Sequence, residues 1–269
     1  MHIKFKGGYY IDHKLNEIYT AINISPKYYL SLKKELKIKT VKGYPLIRLG
    51  NQQTDGGYVM LNDFQPYGIA YSFGISDNIT WDIDMADYNY NVYMYDHTIQ
   101  KLPYYKTNFR FFREGIAGYD YENQPLKTLD YYLTYNKHKK CKNMILKMDV
   151  EGAEWDFLET VSSNTLKQFD QIVFEFHNMI KPNSDEKIPL LKKLNKTHQL
   201  IHLHGNNTGF LIEFGNTVFC DVLEATYVNK DKYITEDSDE ISLPLDIDYP
   251  NDAYRKEIIL GKWNEPFVY

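Results

Sequence analysis

Two carboxylates, Asp149 and Glu151, close the apolar run in ILKMDVEGAEW, residues 145–155. Acids two residues apart at the end of a strand share a face, and a charge buried without a partner is costly. Such a pair must meet a cation, accept hydrogen bonds, or work on a proton. Glu175 and His177 in QIVFEFH also share a face, with Phe174 and Phe176 on the other, and His202 and His204 repeat the alternation in QLIHLHG, followed by Asn206 and Asn207. Carboxylates and imidazoles converging from neighbouring strand ends suit a divalent ion, Mg²⁺, Mn²⁺ or Fe²⁺, with Asp149, Glu175 and His204 as ligands. Such an ion would activate an oxygen nucleophile. The metal-free alternative is equally chemical: Asp149, His177 or His204 takes a hydroxyl proton, as imidazole can near neutral pH. Both remain open at this point. For Glu151 a cap on the following helix is favoured, since acids stabilise helix N-termini, and His202 reads as a buried, hydrogen-bonded strand residue.

The elements that must position these groups alternate along the chain. Residues 11–38 read as helical, with a start signal at Ser25-Pro26. PLIRLG (45–50) and YVMLND (58–63) flank Asp55-Gly56-Gly57 and predict a hairpin. Strand-like runs follow at 68–74, 91–96, 108–117, 145–148, 171–177, 199–205 and 218–228, and helical patterns at 125–135, 155–169 and 186–194. Strands alternating with helices predict an α/β protein with a mostly parallel sheet. Nearly continuous apolar strands predict that it is covered on both faces. The last two strands are joined too closely for a crossover helix and are expected to be antiparallel. The organisation expected is a helical extension over 1–44, a core domain over 45–230, and an acidic irregular segment over 231–269 that packs on the core or folds over a site.

In such sheets ligands sit beyond the carboxyl ends of the strands. The first core strand ends YSFGIS (71–76), where Gly74 lets backbone approach a ligand and exposed amides can bind polar groups. Asp96 ends the next strand, in the position from which a carboxylate bonds both hydroxyls of a ribose; a capped strand end is the alternative. The loop FGISDNITWD has one glycine and carries Asp77 and Asp82. A dinucleotide site wants G-x-G-x-x-G for its pyrophosphate, which acids would repel. They suit a ligand with an amino group and a sulfonium, and favour S-adenosylmethionine over NAD.

The order D-G-G-Y (55–58), Y-S-F-G-I-S (71–76), Y-D-H-T (95–98), L-K-M-D-V-E-G-A-E-W (146–155), F-E-F-H (174–177) and H-G-N-N (204–207), with E-A-T-Y (224–227) following, resembles the FkbM-like class I methyltransferases. Those of bacterial capsule and surface-polysaccharide gene clusters are the most similar, over roughly residues 45–230. One departure stands out: the usual first motif has three glycines, and only Gly74 is kept here. The resemblance implies a Rossmann-like seven-stranded sheet, mostly parallel with an antiparallel strand near the C-terminal edge and helices on both faces. It implies an S-adenosylmethionine-dependent O-methyltransferase acting on a sugar hydroxyl, the sugar being nucleotide-activated or lipid-linked. A phosphoryl or phosphoramidate oxygen on the same polysaccharide, or a non-catalytic sugar- or cofactor-binding module, are the alternatives. Carried over by position, Phe73, Gly74 and Ser76 would line the methionine moiety, Asp96 would hold the ribose with His97 beside it, and Ile116 would pack on the adenine. Asp149 would lie beside the transferable methyl group. Tyr58, with Asp55 and Gly57, lies in a loop expected to fold towards the cofactor; a core aromatic of the hairpin is the other reading of Tyr58. Asn206, Asn207, Glu224 and Thr226 are the remaining candidates for the acceptor.

Composition narrows the class further. The chain has 269 residues, 43% hydrophobic and 25% charged, with a net charge of −5. That balance suits a globular protein and offers no basic groove for nucleic acid. No apolar window approaches the ~20 residues that span a bilayer. The opening MHIKFKGGYY lacks the apolar centre of a secretory signal. Two cysteines, Cys141 and Cys220, are too few for a disulfide framework and are expected as thiols of a cytoplasmic protein. Tyrosine is abundant, with 25 residues, and Trp81 and Trp155 are assigned to the core rather than to a ligand platform.

Overall fold

A computed structural model describes residues 26–180, 184–214 and 217–266. The helix expected over 11–38 lies partly outside these residues; the described part is helix α1, Pro26–Glu35. Proline opens it, where its missing N–H costs nothing, and Tyr28, Tyr29, Leu32 and the following Leu36 bury one face.

Seven strands build the central sheet: β1 (Ile69–Phe73), β2 (Asn91–Tyr95), β3 (Phe109–Phe112), β4 (Met144–Met148), β5 (Phe169–Phe176), β6 (His198–Gly205) and β7 (Leu223–Asn229). Their spatial order is β6-β7-β5-β4-β1-β2-β3. β3, β2, β1, β4 and β5 run parallel to one another, and β7 is antiparallel to both β5 and β6. This is the Rossmann-like α/β sheet expected from the sequence, with its antiparallel strand beside the C-terminal edge. The order reverses between β1 and β4, and it is at such a reversal, beyond the strand ends, that sheets of this kind form the crevice for a ligand.

The two faces of the sheet differ in chemistry. One carries Tyr71, Phe73, Tyr95, Phe174, Phe176 and Tyr227, in rows with ring centroids such as Phe73–Tyr95 at 4.8 Å and Phe174–Phe176 at 4.7 Å. It is covered by α1 together with α3 (Leu129–Tyr135), α4 (Ala153–Thr160), α5 (Ser163–Leu166) and α6 (Lys187–Leu194). The opposite face begins apolar with Ala70, Val92, Met94 and Ile145 under helix α2 (Thr80–Asp87). Across β4, β5, β7 and β6 it turns polar: Lys147, Gln171, Glu175, His202, His204, Glu224 and Thr226 are all buried. What buries them is the expected hairpin, Leu46–Gly50 paired with Gly57–Leu61, and the segment after β7.

Three element boundaries differ from the sequence pattern. The run 108–117 is interrupted after β3; Gly115–Ile116 leaves the sheet to pair with Leu126–Lys127. Thr128 ends that ribbon, and its hydroxyl accepts from Tyr131 N, so α3 begins at Leu129 rather than at 125. The run 218–228 divides at Asp221-Val222. Thr217–Cys220 pairs back on Leu211–Phe214, and Asp221 is drawn out of the strand: its N–H donates to Phe210 O and its carbonyl accepts from Met179 N, both at 2.9 Å. The segment after β7 is not irregular throughout, since Thr235–Asp237 pairs with Lys39–Val41 and Ser242–Leu243 with Gly261–Lys262. Both cysteines are free thiols. Among the described residues no helix is long and apolar enough to cross a membrane.

Candidate active site

The loop after β1 is held from both sides. Gly74 has φ +72°, its N–H donates to Tyr95 O at 3.1 Å, and its carbonyl accepts from Lys147 Nζ at 2.8 Å. A Cβ there would stand 1.5 Å from the carbonyl oxygen of Asp149, so only glycine lets β1 and β4 turn so close together. On the other side one Asp96 oxygen accepts from Ile75 N at 3.1 Å and Ser76 N at 2.8 Å. The second accepts from Thr98 N at 2.8 Å and Thr98 Oγ1 at 2.6 Å. Burial would raise this carboxyl, but the Thr98 hydroxyl and three backbone N–H groups outweigh burial and hold it below the usual range. Four bonds fill the acceptor capacity of a carboxylate. Asp96 therefore organises the loop, and holding a ribose as well would require it to release part of this set.

The other expected cofactor positions divide. Ser76 is exposed at the loop tip and His97 is exposed beside it, the His97 ring lying against Gly115. Ile116 is buried in the two-residue ribbon and joins the core of the aromatic face. The Phe73 side chain does not line the crevice: it is fully buried on the aromatic face, stacked on Tyr95, and only its carbonyl reaches the strand end, accepting from Asp149 N at 3.1 Å. Of the loop acids, Asp77 is exposed, whereas Asp82 is buried in the first turn of α2.

Asp149 stands at the mouth of the crevice. Tyr58 Oη donates to its Oδ2 at 2.9 Å, and Lys147 Nζ lies 3.8 Å from the same oxygen. The Tyr58 ring is buried in the core while its hydroxyl reaches Asp149. Burial lifts the Asp149 carboxyl, with Lys147, Tyr58 and His177 pulling down; the net shift is upward. His177 Nε2 is 3.4 Å from both Glu151 and Glu175. Its Nδ1 faces Glu154 at 3.3 Å. Burial would lower this imidazole, but Glu154, Glu151 and Asp149 outweigh it and raise it. Glu151 is not the helix cap: its side chain is 88% exposed and turned to His177. The acid three residues further on does that work, with Glu154, wholly buried, accepting from Gly152 N at 2.9 Å and His177 N at 2.6 Å. Trp155 donates to His177 O and Trp81 to Met60 Sδ, both as core residues.

The wall towards β7 is more rigid than the sequence suggested. Burial, then Asp149, Glu224 and Asp55, push the Glu175 carboxyl well above its usual range, and Asn206 donates to it at 2.9 Å. His204 does not reach this cluster. It is locked between Glu224 at 3.0 Å and Glu257 at 3.3 Å, one on each ring nitrogen, which leaves neither nitrogen for a proton transfer or a metal. His202 is buried against Asp248 at 3.1 Å. Asn207 is tied to the backbone of Asp252 and Arg255, and the Thr226 hydroxyl donates to Val59 O; both hold the cover rather than face the crevice. Glu224 shares its remaining oxygen with Asn251, whose amide also reaches Asp55 at 2.9 Å. Two sets of residues each bring three ligand atoms within 4.8 Å of one another: Asp149, Glu151 and His177 form one set, and Asp55, Glu175 and Glu224 the other. The expected set of Asp149, Glu175 and His204 is thus split, with His204 in neither group. The first set, two carboxylates and an imidazole, has the donors that a hard divalent ion prefers.

Lys147, Glu154 and Asn251 escaped the reading of the sequence, and Asp82, read there as a loop acid suited to a cationic ligand, is instead buried in α2. A lysine inside an apolar strand and a second acid in the motif were visible signals for the first two; nothing local marks Asn251.

The methyltransferase FkbM domain matches residues 16–205. No curated protein matches the chain. Solved structures with a related arrangement include a candidate RNA methyltransferase from Pyrococcus horikoshii, 11% identical over 61% of this chain and 75% of that one, TM-score 0.35. A candidate hemolysin from Streptococcus thermophilus is 12% identical over 66% and 72%, TM-score 0.36. A 16S rRNA adenine N1-methyltransferase variant from Catenulisporales acidiphilia is 12% identical over 68% and 97%, TM-score 0.34.

Proposed function

This chain belongs to the methyltransferase FkbM family, and from that premise we propose that it transfers a methyl group from S-adenosylmethionine to a sugar hydroxyl. The sugar is nucleotide-activated or lipid-linked, and the step serves capsular or surface-polysaccharide assembly in the cytoplasm. One observation carries the reading: carboxylates of Asp149, Glu151 and Glu175 gather at the crevice where the strand order reverses, with Lys147 and His177 as their cationic neighbours. That excess of acid fits a cationic nucleoside. Asp149 and Glu151 would attract its sulfonium and ammonium groups, and the Gly74–Ser76 loop would lie along its amino-acid end.

The cofactor brings a methyl carbon already activated by sulfur, so the chain's residues have to align an oxygen and remove its proton. Asp149 is the base: burial lifts its carboxyl, and Tyr58 orients it through the bond to Oδ2. His177, raised by Glu154, supplies positive charge beside Glu151 and Glu175. Asp55, Glu175 and Asn206 offer acceptors and an amide to sugar hydroxyls. A phosphoryl or phosphoramidate oxygen is disfavoured because the same acids would repel an anionic group. A divalent ion held by Asp149, Glu151 and a neutral His177 would take the place of the imidazolium charge and add Lewis acidity at the acceptor oxygen.

Incubation with methyl-labelled S-adenosylmethionine and a panel of nucleotide sugars, with and without a chelator, tests this. Label is expected in a sugar ether, lost in an Asp149→Asn variant that still folds. Transfer at the wild-type rate by that variant would remove Asp149 as the base, and failure of the wild-type protein to bind S-adenosylhomocysteine would remove the function.

A further inference from the structure

A lysine in the middle of a buried strand calls for an explanation. Lys147 is 4% exposed, on the central strand β4, in register with Ser72 of β1 and Val173 of β5. Its Nζ donates to the carbonyl of Gly74 at 2.8 Å, lies 3.8 Å from Asp149 Oδ2, and sits 5.3 Å from the centre of the Tyr58 ring. On the sheet face that α2 covers, in the first turn of that helix, is Asp82, 1% exposed, with neither carboxylate oxygen in a well-formed hydrogen bond. The buried Ser72 hydroxyl, on β1 in register with Lys147, faces this carboxyl without reaching good hydrogen-bond geometry. A buried carboxylate without hydrogen bonds is costly. Burial pushes the Asp82 carboxyl up to about 6, while the Lys147 charge and the Ser72 hydroxyl pull it down.

These contacts account for the missing glycines. A glycine-rich loop shapes itself by backbone freedom; this loop has Gly74 alone and is gripped instead. Asp96 takes its N–H groups at Ile75 and Ser76, and Lys147 takes its carbonyl. We propose that Lys147 is the positioning residue that shapes the Gly74–Ser76 loop for the amino-acid end of the cofactor, and that Asp82 holds the lysine's charge in place from α2. The inference rests on the cofactor crevice described under the proposed function.

Calorimetry on the full chain with two ligands tests it. S-adenosylhomocysteine carries the amino-acid end; 5′-methylthioadenosine keeps the nucleoside and lacks that end. Lys147→Met removes a charged donor of similar length and is expected to weaken S-adenosylhomocysteine by at least about tenfold, the scale of one lost charge-assisted bond. Binding of 5′-methylthioadenosine should stay within about twofold of wild type on that scale. Lys147→Arg should restore most of the difference, and Asp82→Asn should shift the ratio of the two affinities in the same direction, less strongly. A ratio unchanged in Lys147→Met, or equal loss of both ligands, overturns the proposal. If Lys147→Met does not fold, an unchanged ratio in Asp82→Asn overturns it instead. Wild-type protein that binds neither ligand would overturn the proposed function and this inference with it; wild-type binding with unselective variants overturns the inference alone.

Discussion

Replacing Asp96 by asparagine separates a loop organiser from a ligand contact. The carboxylate accepts four bonds, from Ile75 N, Ser76 N, Thr98 N and Thr98 Oγ1. Asparagine can keep its oxygen towards Ile75 and Ser76 only by turning its NH₂ to Thr98. The Thr98 hydroxyl can rotate to accept from it, but the Thr98 N–H is left without its partner. Bonds to a charged acceptor contribute about 1.5–3 kcal/mol and neutral ones about 0.5–1.5 kcal/mol, so one lost bond and three weakened by about 1 kcal/mol each sum to about 5 kcal/mol. Thr98 and Ser76 are exposed, and water recovers the larger part of this, leaving about 2 kcal/mol. For a chain of this size that corresponds to about 4 °C in Tm. The assay is thermal unfolding of the ligand-free protein, because a group that acts on ligand alone contributes nothing there. A depressed carboxyl stabilises above its unfolded pKa, and that stability is lost as pH falls through its folded value. The gap between wild type and Asp96→Asn should therefore be full at pH 7 and narrow as pH falls below about 4. An Asp96→Asn variant that melts like wild type yet binds S-adenosylhomocysteine weakly would refute the reasoning, and would give the carboxylate back to the ribose.

Two further outcomes follow from the geometry. Burial works against the charge of His204, but Glu224 and Glu257 outweigh it and hold the imidazole at about 10. Its stabilisation is complete below the unfolded value of about 6.5 and is lost as pH rises towards the folded one, so the advantage of wild type over His204→Gln in urea unfolding should shrink between pH 7 and 10; a constant advantage would contradict the charged assignment. Gly74→Ala places a Cβ 1.5 Å from Asp149 O at φ +72°, and urea unfolding should show a loss above about 3 kcal/mol or no folded protein. An alanine variant of wild-type stability would mean that β1 and β4 do not close as described.

The order of strands was legible because each apolar run is short, is bounded by turn residues, and alternates with a helical period. The ends of elements were harder where a single polar contact decides them. Asp221 leaves its strand because Phe210, Met179 and Ile180 need its backbone and side chain, and no local pattern shows that. Asp149, Glu175 and His177, which the fold brings together, stood out as candidates because an acid or histidine at the end of an apolar strand has few structural uses. His204 has the same local pattern and a different role, since its partners Glu224 and Glu257 come from sequence positions 20 and 53 residues away. Phe73 failed for a simpler reason: at a strand end the backbone and the side chain address opposite environments, and alternation sends this ring to the aromatic face.

The division of labour along the chain follows from that asymmetry between faces. A helix offers an apolar stripe, and helices cover the aromatic face. A polar face needs a cover that can return hydrogen bonds and charge at each buried group. The hairpin supplies Tyr58 to Asp149. The segment after β7 supplies Asp248 to His202, Glu257 to His204 and Asn251 to Glu224. The family match ends at residue 205, before every one of these tail residues and before Glu224. The crevice between β1 and β4 thus lies within the matched span, while the wall that an acceptor would meet beyond Glu175 is built largely from outside it. Selectivity for the acceptor is to be sought where Asp55, Glu224 and Asn251 meet, because a side chain altered there changes the wall without disturbing the loop held by Lys147 and Asp96.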